Sequence, residues 1–108
     1  MRVDGGQLVR AVDRLVNQVG HWPPARWAAR ASIGHQSRAE VVHALVQRLA
    51  DLEAGVTGRP DRPVPRLSND LALPDQVRVM TLDLVAAGAG PAVLAAALDA
   101  VTTARSQL

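Results

Sequence analysis

The sequence predicts an all-α domain, a small orthogonal or up-down bundle of four to five short helices with one long Pro-rich connection. Three observations predict it. Apolar residues recur at helical spacing over most of the chain, two capping boxes and several proline-first helix starts punctuate those stretches, and nowhere do apolar positions alternate as in a strand.

Residues 4–19 open on Asp4, with Gln7 three positions later, a spacing that satisfies orphan backbone amides at a helix start. Leu8, Val12, Leu15 and Val19 then share one face, with Val9 and Val16 beside them, while Arg10, Asp13, Arg14, Asn17 and Gln18 take the other. Gly20 is a natural stop. Pro23 and Pro24 suit the first turn of a second helix over 24–33, which Gly34 would end. Ser37 and Glu40 form a second capping box and open a third helix over 37–54. Its stripe of Val41, Val42, Leu45, Val46, Leu49 and Leu52 is unbroken until Gly55.

The pattern dissolves over 55–73, where Pro60, Pro63 and Pro65 fix φ, remove amide donors and favour extended polyproline geometry. So long an irregular stretch is either a functional arm or a strap tied to the bundle through Val64, Leu67, Leu71 and Leu73. Pro74 opens a fourth helix over 74–87, in which Val77, Met80, Leu84 and Val85 point one way and Arg78 and Asp83 lie elsewhere; Gly88 and Gly90 end it. Pro91 opens the fifth, over 91–106, with Leu94, Leu98, Val101 and Leu108 at helical spacing on an alanine-rich background.

A chain of 108 residues, 48% apolar and 20% charged, has the balance of one folded domain spanning 1–108. Its core must be built without Phe, Tyr or Cys, from Val, Leu, Ala and the pair Trp22 and Trp27. Alanine buries little area, so such a domain gains by self-association, and a homodimer is the expectation. The absence of cysteine removes disulfides, thiolate chemistry and Cys-ligated zinc. No apolar run approaches the roughly 20 residues of a bilayer span and no signal-peptide layout is present, so no membrane partner and a cytoplasmic location are expected. All 12 basic residues are arginine, which lifts the pI to about 11.0 although the net charge is only +2.

Chemistry is harder to find. The chain has no lysine, no phosphate-cradling glycine loop and no nucleophile elbow. Glu40-Val41-Val42-His43 has the Glu-x-x-His spacing of di-iron bundles, but it occurs once and Glu40 already serves a cap. His21 and His35 sit in loops flanking the second helix, where solvation is their ordinary fate. The expectation is a protein without enzymatic activity, with no catalytic residue, cofactor or metal.

Partners remain. His21 to Trp27 concentrates both aromatics beside Arg26, and tryptophan is enriched in binding hot spots, although two large rings also suit the centre of a core. The Pro-rich arm carries Arg59, Arg62 and Arg66 on a semi-rigid backbone of the kind partner grooves take. The leading expectation is therefore a protein-protein interaction module, adaptor or accessory subunit that binds through Trp22, Arg26, Trp27, Arg59, Arg62 and Arg66. The alternative is a small DNA-binding regulator with a helix-turn-helix-like unit at 24–54, presenting Arg26, Arg30, Gln36 and Arg38. Residues 1–50 favour it electrostatically, with seven arginines against Asp4, Asp13 and Glu40.

Overall fold

A computed structural model describes residues 2–108. Five α-helices run through them: α1 (Gly5–Val19), α2 (Pro24–Ala28), α3 (Arg38–Thr57), α4 (Leu73–Ala86) and α5 (Pro91–Gln107), with a 3-10 turn at Asp70–Ala72 leading into α4. The described residues contain no strand, only an isolated bridge between Arg30 and Ser37.

Both expected capping boxes form. Asp4 Oδ1 accepts the Gln7 amide at 2.8 Å while Gln7 Oε1 accepts the Asp4 amide at 2.9 Å. At α3 the Ser37 hydroxyl accepts the Glu40 amide at 3.1 Å and the Glu40 carboxylate accepts the Ser37 amide at 3.2 Å. Pro91 opens α5, and Pro74 falls in the first turn of α4.

Two helix ends differ from the sequence expectation. α3 continues through Gly55 to Thr57 and ends at Gly58, whose φ of 73° is the left-handed conformation that closes a helix and that glycine alone takes freely. The second helix, expected over 24–33, is one turn long and ends at Ala28. From Ala29 onward the backbone is extended and bonds elsewhere: Ala31 N–H donates to the Gln36 carbonyl at 2.9 Å, and Arg38 N–H to the Ala29 carbonyl at 2.9 Å. Gly34, at φ 81°, reverses the chain between these bonds.

α1 and α3 each pack against both α4 and α5, and the short α2 lies against α3. The shared interior is lined by Leu8, Leu15, Leu49, Leu73 and Leu84 with Val12, Val42, Val46, Val77 and Val101. Alanines at 97 and 104 let α5 approach closely. The one buried polar side chain among the described residues, Thr81, satisfies itself by donating to the Val77 carbonyl at 2.8 Å. No helix of the described residues is long and apolar enough to cross a membrane.

Candidate functional site

The tryptophans are core, not surface. Trp22 and Trp27 are 4% and 0% exposed and meet edge to face with ring centroids 5.1 Å apart. Their expected role as partner contacts is corrected by this burial: in a chain with no other aromatic, the two largest rings bring the most apolar area to the interior. The Arg26 and Arg38 guanidiniums lie 4.9 and 5.5 Å from the Trp22 ring centroid, within cation-π range. Arg38 also donates from Nη1 to the Arg26 carbonyl at 3.3 Å and from Nε to the Leu108 carbonyl at 3.4 Å. It ties α2, the start of α3 and the end of α5 together.

That arrangement does not make a helix-turn-helix. α2 holds five residues, and a nine-residue connection, 29–37, separates it from α3, whereas the DNA-reading unit joins two full helices by a turn of three or four. The connection is also anchored to the end of α5, because the Ser32 amide and hydroxyl donate to the Gln107 carbonyl at 2.8 and 2.7 Å. Arg26, Arg30 and Gln36 are exposed around this loop, and Arg38 is half-buried and engaged.

The Pro-rich arm is a docked strap. Gln47, on the exposed side of α3, accepts the Val64 amide at 2.7 Å and donates to the Arg62 carbonyl at 2.9 Å, gripping two strap peptides with one side-chain amide. His43, one turn earlier, bonds the Val64 carbonyl at 3.1 Å, and Val64 is half-buried against the core. Two arm arginines are paired within the chain, Arg59 with Glu53 and Arg66 with Asp70, the latter at 3.0 Å; Arg62 is exposed. Glu40 is held below the ordinary glutamate range by the Ser37 amide first, then the Ser37 hydroxyl, with a smaller attraction from Arg66. The Glu-x-x-His pair is thus employed in a cap and a strap bond. Among the described residues no three His, Cys, Asp or Glu side chains gather into a metal-binding group.

What the structure leaves uncovered lies elsewhere. Among the described residues six large apolar side chains are exposed, and five of them (Leu67, Leu71, Val79, Leu82 and Val85) fall between the end of the strap and the end of α4. Ile33, at the tip of the 29–37 loop, is the sixth. On α4, Val77, Thr81 and Leu84 face the core, so Val79 and Leu82 stand on the opposite face, each 52% exposed. Val85, expected inside, is at its margin. Arg78 and Asp83 flank the pair, and Arg78 Nη2 reaches Asp13 Oδ1 of α1 at 3.4 Å. A crevice of about 170 Å³ beside Leu82, lined by Val9, Val12, Asp13, Arg78 and Thr81, extends the apolar surface toward α1.

Sequence reasoning missed this face. One signal was available: α4 carries apolar residues all round, more than one core-facing stripe needs. Val79 and Leu82 are that surplus. The chain matches no protein-family model, no curated protein and no solved structure.

Proposed function

We propose that the protein is a non-enzymatic docking module, an adaptor or accessory subunit, whose partner covers the outer face of α4. The single observation that carries this is the pair Val79 and Leu82, half-exposed on one face of a regular helix with Val85 at its margin. Scattered surface leucines are ordinary, but exposed apolar residues gathered on one helix face mark a binding surface. A helix that shows a partner i, i+3 and i+7 positions is a common recognition mode. A cytoplasmic placement belongs to this proposal.

Leu82→Glu tests it. The side chain is exposed, so the variant folds with the melting temperature of the parent within about 2 °C. Immobilised parent chain incubated with its own cell extract retains a protein, itself or another, and the variant loses it. Equal retention by both would refute the reading.

A further inference from the structure

We infer that the partner on this face is a second copy of the same chain, with α4 lying parallel to the partner's α4. The inference rests on the docking reading above and names its occupant.

The outer face of α4 is spelled by Asp75, Val79, Leu82 and Ala86, spaced four, three and four residues apart. This is the alternation of d and a positions in a heptad, and it lies opposite the buried Val77, Thr81 and Leu84. Val79 occupies an a position and Leu82 the following d position. A β-branched residue at a with leucine at d favours two parallel strands. The small side chain of Ala86 lets the helices stay close at the next layer, while the two Asp75 carboxylates, which repel one another, end the seam at its N-terminal side and confine it to these layers.

Charge order selects the direction. Arg78 immediately precedes the a position and Asp83 immediately follows the d position, so they occupy the g and e flanks. In a parallel pair each g residue faces the e residue five positions on in the other helix. Arg78 therefore meets the partner's Asp83, and the symmetric contact repeats it. An antiparallel pair sets g against g and e against e, placing Arg78 beside the partner's Arg78 and Asp83 beside the partner's Asp83. Arg78 already touches Asp13 at 3.4 Å, but a guanidinium carries five N–H donors and can bridge two carboxylates. Two apolar layers and two flanking ion pairs make a small interface, below the roughly 1,200 Å² of stable complexes, so the dimer is transient.

Sedimentation equilibrium of the full chain over a concentration series reads this directly. The parent shows a monomer-dimer equilibrium, and Leu82→Glu weakens it by about 100-fold or more while circular dichroism stays unchanged. Arg78→Glu and Asp83→Arg each weaken it by about tenfold, and the double swap Arg78→Glu with Asp83→Arg returns it to within about threefold of the parent. Asp13→Asn, which removes only the own-chain partner of Arg78, leaves the dimer intact. A parent that stays monomeric throughout, a dimer indifferent to Leu82→Glu, or a double swap no better than the single ones would each overturn the inference. A monomeric parent that still retains a different protein through Leu82 would sink the self-pairing and keep the docking face; a parent that is monomeric and also retains nothing would sink both.

Discussion

The side chain of Gln47 holds the amide of Val64 at 2.7 Å, and through the same amide group holds the Arg62 carbonyl at 2.9 Å. An extended segment rich in proline lacks donors, so Gln47, standing in for a neighbouring backbone, holds the strap against α3 together with the His43 bond to the Val64 carbonyl. Gln47→Ala leaves both strap groups to water and should cost about 1–2 kcal/mol. In hydrogen exchange, protection of the Val64 amide should vanish while the α3 amides keep theirs.

Trp27 carries the heaviest load in the core. It is fully buried against Trp22, and truncation to alanine should remove about 3–5 kcal/mol, a large share of the stability of a domain this size. Urea denaturation followed by circular dichroism reads the loss. Val79→Ala, on the exposed face of α4, should change the unfolding free energy from the same titration by no more than about 0.5 kcal/mol, because it removes no core contact.

The capping box at Ser37 makes stability depend on pH with a definite sign. The Glu40 carboxyl is held below its ordinary range in the folded protein, so its ionised form favours folding. That contribution is fully present above the unfolded glutamate value of 4.5 and disappears as pH falls through the lower folded value. Glu40→Gln keeps an acceptor for the Ser37 amide but does not titrate. The parent should exceed this variant in stability at pH 7, and the gap in denaturation midpoint should close below about pH 4.5.

The arginines near α2 give a fourth expectation. Arg38 is committed to the Trp22 ring and to two carbonyls, and α2 with its nine-residue connection does not form the two-helix unit that reads a groove. Duplex DNA at low salt should therefore not be retarded by the protein. Retardation that weakens steeply with salt and is lost on Arg26→Ala with Arg30→Ala would revive the DNA-binding alternative.

Much of the helical frame was legible because local chemistry decides it. Asp4 with Gln7 and Ser37 with Glu40 start helices wherever the following residues permit one, and they do so here. Ends were less legible, since a glycine stops a helix only where the chain must turn. Gly55 sits exposed and is passed over, while Gly58 takes positive φ and ends α3. The second helix lost half its expected length to the bridge between Arg30 and Ser37, a pairing no local pattern announces. In the strap, Val64 and Leu73 are drawn in as expected, whereas Leu67 and Leu71 stay exposed.

The candidate site was the least legible part, for a physical reason. Hydropathy ranks Leu82 and Val79 above Thr81, yet Thr81 is buried, because its hydroxyl bonds the Val77 carbonyl and its small side chain fits between α1 and α4. Which face of an all-round apolar helix turns inward is decided by its neighbours. The arginines and tryptophans stand out in the sequence, but the fold spends several of them internally: both rings in the core, Arg38 as a tie, Arg59 and Arg66 in ion pairs.

The chain has no cysteine, which allows the most direct measurement of all: a single thiol placed by Leu82→Cys, carrying a short photo-crosslinker and activated in the native cell extract. The docking face predicts one dominant protein adduct from position 82 and none from the control Ala95→Cys on the exposed side of α5. Equal, diffuse labelling from the two positions, or no adduct from position 82, would contradict it.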